Sequence, residues 1–287
     1  MIDLCQIRPN IARMYDALLG GKDSYQADRD AVVQVLKVFP SAPVMARTNR
    51  AFMHRAIGYL ARDWGIRQFL DIGTGFPTEL NLHQVAQEVA PESRVVYVDN
   101  DPTVLVHARA LLISHPAGHV DYIAADATFP ADILTAPELL ATLDLSEPVA
   151  VSLIALLHFI PDDRDPYGLV RALMDAVVPG SVLVISHATP DFDPDGVAAA
   201  VEIYHRNGLT SKVRTHNDIM AFFDGLELID PGIVPPHRWR PAGIEPAAGM
   251  DAKASLYAGL AVKTGCGSTP ERRGHYTATT PAWGEHR

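Results

Sequence analysis

The chain has 287 residues, 48% of them hydrophobic and 20% charged, which is enough apolar material for a sizeable core and excludes a disordered chain. With 24 Lys and Arg against 34 Asp and Glu, the net charge of −10 excludes a broad phosphate-binding face. No nucleic acid and no membrane surface is expected as a partner, and a small-molecule substrate is the expectation that remains.

At the amino terminus, Met1-Ile2-Asp3-Leu4-Cys5-Gln6 has no basic segment followed by an apolar one, so no leader is read and the cytoplasm is the expected location. Cys5 and Cys266 lie near opposite ends; one bridge between them stays open, but they make no secreted-type framework. Asn10 caps a helix over Ile11 to Leu19 that the Gly20-Gly21 pair stops. A second helix is predicted from Ala27 to Val38, ended by Pro40, and a third after Pro43, where Ala46, Phe52, Ile57 and Leu60 fall near helical spacing. Residues 1–65 therefore read as a helical extension.

From Gln68 the pattern alternates. Predicted strands are 68–72, 94–99, 120–124, 149–153 and 181–186, with helices over 77–89, 101–112, 134–143 and 167–177 between them. Strands separated by helices require parallel, right-handed crossovers, and near-continuous apolar strands fit a sheet covered on both faces. The expected fold is thus α/β, a doubly wound Rossmann-like sheet over residues 66–264. The apolar run from Val149 to Ile160 is too short to span a bilayer and reads as buried strand.

A further helix covers 195–207, and Thr215 with Asp218 marks another helix start. Segments 226–229 and 254–262 read as strands. The Pro-rich stretch 231–246 between them is too short for a crossover helix, so an antiparallel edge pair is expected. Residues 265–287 are polar, without periodicity, and read as a tail outside the core.

In such a sheet, ligands bind beyond the carboxyl ends of the strands. The first strand ends in Asp71-Ile72-Gly73-Thr74-Gly75, where two glycines let backbone approach a ligand closely; the same spacing also suits a plain tight turn. The following helix is expected to begin at once and offer its amides. A dinucleotide fingerprint would need glycine where Thr78 stands, which weakens a pyrophosphate reading. A methionine-derived cofactor carries no pyrophosphate, and Asp71 suits its ammonium.

The second strand ends in Val98-Asp99-Asn100-Asp101, where Asp99 can accept from ribose hydroxyls while Asp101 caps the next helix ahead of Pro102. At the third strand end, Asp126 is a turn residue or an acceptor for an adenine amine, with the Ala127 amide donating to the ring. After the fourth strand, His158 is either a base for a substrate hydroxyl or a packed histidine. His–Cys metal spacing is absent, so no metal is expected.

Taken together, these stretches resemble a class I S-adenosylmethionine-dependent methyltransferase. More narrowly, the chain resembles the actinobacterial S-adenosyl methyltransferase family long catalogued as a domain of unknown function. The segments that carry the likeness are 12–23 (which includes Leu18-Leu19-Gly20-Gly21-Lys22-Asp23), 69–78, 96–102, 124–128 and Trp239-Arg240-Pro241. The resemblance implies S-adenosyl-L-methionine as cofactor. It puts Asp71, Gly73, Thr74 and Gly75 on the methionine end, Asp99 and Asn100 at the ribose, and Asp126 with Ala127 at the adenine. Backbone at Ile154 and Ala155 would face the cofactor's middle. Tyr15, Gly21 and Lys22 become lid candidates, with the bland alternative that Tyr15 packs between helices and Lys22 is solvated.

Acceptors are expected to enter between the N-terminal helices and the Trp239 loop. The competing functions are an NAD-dependent oxidoreductase, which shares the turn and Asp99, and a regulator that binds the cofactor without transferring its methyl.

Overall fold

In the computed structural model, residues 8–78, 80–111, 113–241, 243 and 247–265 are described. The chain opens with α1 (Ile11–Leu19), α2 (Gln26–Val38) and α3 (Ala42–Asp63). The Asn10 side chain accepts from the amides of Ala12 and Arg13 at 2.8 and 3.2 Å. Gly20, at φ 86°, ends α1 in the left-handed region.

Alternation then follows through β1 (Gln68–Ile72), α4 (Leu82–Val89), β2 (Arg94–Asp99), α5 (Pro102–Leu111) and β3 (His119–Ala124). Two short helices, α6 (Pro130–Leu134) and α7 (Pro137–Thr142), precede β4 (Ala150–Ile154), α8 (Pro166–Asp175) and β5 (Val182–Ala188). The chain closes through α9 (Pro194–Arg206), α10 (His216–Met220), β6 (Glu227–Leu228), α11 (Met250–Ala254) and β7 (Leu256–Val262).

Among the described residues, seven strands form one sheet of order β3-β2-β1-β4-β5-β7-β6. Neighbours from β3 to β5 pair in parallel, whereas β7 runs antiparallel to both β5 and β6. This is the expected doubly wound sheet with its antiparallel edge pair. The chain switches direction between β1 and β4, so a crevice opens there at the carboxyl edge.

One face is packed by the apolar sides of α7 and α8, with Leu139, Leu173 and Leu153 fully buried. Under the other face lie α3 and α4, where Phe52, Ile57 and Leu60 meet Phe69 and Tyr97. Each such side chain contributes about 1.5–3 kcal/mol on burial. The third N-terminal helix therefore packs as a layer against the sheet. The helices α1 and α2 join the first turns of α3 and α9 in a separate cluster that includes Met14, Val35, Ala46 and Ile203.

Four local expectations need correction. The helix expected from residue 77 starts at Leu82, because Asn81 and Gln84 form the capping box there and Leu80 has φ 57°. The helix expected over 134–143 is two helices, because Pro137 holds Ala136 extended at φ −63°, ψ 132°. The sixth strand shrinks to two residues, and residues 250–254 are helical before β7 begins. The expected end of the 101–112 helix at Leu112, part of the Pro-rich stretch, Cys5, Cys266 and the tail from 266 lie outside the described residues. Among the described residues, no helix is long and apolar enough to cross a membrane.

Candidate active site

The strand ends place their acids through register. Asp71 pairs with Tyr97 on β2 and Ser152 on β4, and Asp99 pairs with Ala124 on β3. After β1 the chain turns through Gly73 and Gly75, whose φ values of 76° and 67° favour residues without a Cβ. A Cβ at Gly73 would also meet Leu156 Cδ1 at 2.6 Å. The turn is tied to the next strand end, since the Gly73 amide donates to Val98 O at 2.8 Å and the Gly75 amide to Asp99 Oδ2 at 2.9 Å. Asp99 Oδ1 accepts from the Asp101 amide at 2.9 Å, and Asp101 Oδ1 takes the Thr103 amide at 2.7 Å. Asp126 Oδ1 accepts from both the amide and the hydroxyl of Thr128 at 2.9 Å.

These ends border a single cavity of about 450 Å³. Its lining includes Asp71, Gly73, Thr74, Gly75, Asp99 and Asn100 from the first two strand ends, Asp126 and Ala127 from the third, and Ile154 and Ala155 from the fourth. Tyr15 lines it from α1, together with Pro9, Asn10, Ile11 and Ala12. Larger but more open depressions, at about 600 and 580 Å³, lie around Gln68, Arg94 and Asp144. They sit at the amino ends of the strands, away from the convergent carboxylates.

Burial pushes the Asp71 carboxyl up to about 6, against the opposing pull of Ser152 and Arg50 and with a smaller push from the Asp99 charge. Asp99 is also raised, chiefly by burial, while the amides of Asp101 and Gly75 work against the rise. Arg50, one turn from Met53 on α3, lines the cavity and donates to Leu80 O at 3.0 Å.

Three expected residues are not brought to this cavity. His158 is 4% exposed, and its Nδ1 accepts from the Ala188 amide at 3.3 Å. Burial first, and the nearby Arg214 charge second, hold its imidazole down to about 3. It is a neutral packed histidine in this arrangement, behind the wall formed by Leu156, Phe159 and Ile160. Gly21 and Lys22 are exposed. The Gly-Gly segment serves a different purpose: a Cβ at Gly21 would overlap the Asp16 carboxylate, which accepts from the Asp23 amide at 2.9 Å. Trp239 does not border the cavity either. It is fully buried, with Phe52 and Tyr59 edge-on at 5.5 and 5.7 Å, and its carbonyl takes Arg55 Nε at 3.0 Å.

Sequence reasoning missed Asn49, Arg50 and Met53, which line the cavity from α3, and Leu209 and Thr210, which follow α9. A signal existed for Asn49: it is a polar residue on the buried stripe Ala42, Ala46, Met53, Ala56 and Leu60.

A glycine turn and three strand-end acids around one cavity, on a sheet of this order with an antiparallel last strand, define a class I methyltransferase. The family model described as S-adenosyl methyltransferase matches residues 2–264, and the chain belongs to that family. It is an S-adenosylmethionine-dependent methyltransferase. A crystal structure of a DUF574 family protein from Streptomyces avermitilis is 46% identical, covers 90% of this chain and 98% of its own, and superimposes with a TM-score of 0.86. A Thermobifida fusca protein is 38% identical over 90% of this chain and 96% of its own, with a TM-score of 0.83. The plantazolicin methyltransferase solved with S-adenosylhomocysteine shares the fold alone, at 11% identity and a TM-score of 0.51 over 88% of this chain and 95% of its own. No curated relative matches the chain. Nothing in these relatives supports the NAD-dependent or the non-catalytic reading.

Proposed function

We propose that the 450 Å³ cavity holds S-adenosylmethionine across the ends of β1, β2 and β3 and passes its methyl to a small-molecule acceptor. The observation that carries this reading is the convergence of Asp71, Asp99 and Asp126 on one cavity. The residues fit the cofactor. Gly75 faces open space where a side chain would intrude, and the cavity volume falls within the range of small-ligand sites.

When bound, the sulfonium supplies an activated methyl for in-line displacement. Asp71 faces the ammonium and Arg50 the carboxylate of the methionine end. Asp99, held by the Gly75 and Asp101 amides, keeps lone pairs free for the ribose hydroxyls. Asp126 and the Ala127 amide take the adenine edge, and Ile154 to Leu156 flank the middle. The lid is the first turn of α1, with Tyr15, rather than the Gly21-Lys22 loop.

The chain's task is then alignment and exclusion of water, with no requirement for a strong acid–base pair. The acceptor approaches between this first turn and the Phe159–Pro161 segment. A small acceptor is favoured by the roof that residues 9–15 place over the cavity. Thermal-shift measurement tests the cofactor: S-adenosylmethionine and S-adenosylhomocysteine should raise the melting temperature while NAD leaves it unchanged. Stabilisation by NAD alone would refute the proposal. Release of S-adenosylhomocysteine across a panel of small acceptors then identifies the substrate.

A further inference from the structure

A chain of hydrogen bonds, buried at its centre, runs from the roof of the cavity to its floor. Tyr15 Oη donates to Ala46 O at 3.2 Å and accepts from Asn49 Nδ2 at 2.9 Å. Asn49 Oδ1 accepts from Ser186 Oγ at 2.6 Å, and Ser186 Oγ accepts from the Ala155 amide at 3.0 Å. Asn49 is 2% exposed and Ser186 fully buried. Each hydroxyl has one proton, so once Tyr15 donates to Ala46 the direction of every later bond is fixed. The carboxamide of Asn49 is the only member that donates to one neighbour and accepts from another through separate atoms.

The far end of this chain is a strained position. Ala155 has φ 56°, a left-handed conformation that costs a non-glycine residue about 1 kcal/mol or more and persists only where surroundings enforce it. The Ala155 amide is doubly held on β5, by Ser186 Oγ and by Ser186 O at 3.1 Å. The turn it makes aims Leu156 at Gly73, in the space a Cβ there would need. The near end is Tyr15 in the first turns of α1, which roof the same cavity.

We propose that Asn49 is a positioning residue that joins the seating of α1 to the Ala155–Leu156 turn, so that closing the roof and setting the cofactor's bed are one event. Removing either end loosens the other, because the amide that loses one partner no longer has a fixed orientation toward the second. This inference rests on the cavity being the S-adenosylmethionine site.

The test uses the full chain, S-adenosylhomocysteine as probe, and calorimetry with stopped-flow dissociation. Asn49→Leu is expected to weaken binding about tenfold or more, the worth of one to two buried hydrogen bonds, with faster release. Tyr15→Phe and Ser186→Ala touch opposite ends and do not contact one another. Their double variant should weaken binding by clearly less than the product of the two single effects. An Asn49→Asp carboxyl reproduces the amide's donor and acceptor only when protonated. Its affinity relative to wild type should therefore recover as pH falls, with Arg50 beside it on α3, the Tyr15 phenol and Asp71 across the cavity as its charged and titratable neighbours. Because a carboxyl at position 49 would couple to Asp71 on the same cavity, the comparison is repeated in an Asp71→Asn background.

If Asn49→Leu fails to fold, the Tyr15 and Ser186 variants carry the test. Binding that is indifferent to all these changes, or strictly multiplicative end effects, would overturn the inference alone. A wild-type chain that does not bind S-adenosylhomocysteine would overturn the cofactor assignment and this inference with it.

Discussion

Asp71 is where folding and ligand binding pull in opposite directions. Its carboxyl is pushed up to about 6 by burial, so in the empty protein the charged form is held at a cost. A raised carboxyl contributes stability that is full below its unfolded value near 3.8 and is lost as pH rises through about 6. Asp71→Asn should therefore raise the melting temperature of the unliganded protein at pH 7.5 or so while weakening S-adenosylhomocysteine binding roughly tenfold to a hundredfold. Wild-type affinity should be flat above about pH 7 and fall by up to tenfold per unit below about pH 6, and Asp71→Asn should lack that slope. Calorimetric titration across pH checks both; a slope that persists in Asp71→Asn would detach the effect from this carboxyl. The placing of Asp71, Asp99 and Asp126 around one cavity was legible because each lies within two residues of a strand's end, and sheet register fixes those ends in space. For His158 the sequence left a base and a packed histidine open, and for Lys22 a lid residue and a solvated charge. Whether a side chain beyond a strand faces a cavity or packs behind its wall depends on what stands against it, which for His158 includes Arg214.

The element with the clearest dependence on a distant residue is the segment after β4. Arg214, 2% exposed, donates to Leu157 O and Ile160 O at 3.0 Å, to His187 Nε2 at 3.0 Å and to Asp162 Oδ1 at 2.6 Å. Its guanidinium also lies 5.4 Å from the Phe222 ring centre. One planar fork thus fixes the wall that includes Phe159 and Ile160. Arg214→Met should cost about 2–3 kcal/mol in denaturant unfolding, because two carbonyls lose their donors. Arg214→Lys should recover little of it, since an ammonium cannot span both. A loss under about 0.5 kcal/mol would contradict this clamp. No local pattern announces such a contact. The start of α4 and the break between α6 and α7, by contrast, carry local signals in Asn81 with Gln84 and in Pro137 that the expected boundaries passed over. Hydrophobic periodicity blurred both boundaries because apolar residues continue through the capping positions.

At the scale of the molecule, the doubly wound sheet and its parallel crossovers followed from strand–helix alternation. The order of the strands did not. Apolar spacing shows that α3 has a buried side but not that this side meets the sheet. Arg13 joins α1 to α2 through Asp28 at 2.7 Å and reaches the edge of the sheet at Asp101, 3.8 Å away. Asp101 accepts from the Thr103 amide at the start of α5, so α1 and the end of β2 are linked through one carboxylate. The most direct test is a crystal structure of the chain with S-adenosylhomocysteine. The ribose hydroxyls should lie within hydrogen-bond reach of Asp99, the adenine at Asp126 and Ala127, and the ammonium at Asp71, beneath the first turn of α1. Ligand density at the opposite strand ends, around Gln68 and Arg94, with the Asp71–Asp99–Asp126 cavity holding only water, would contradict the assignment.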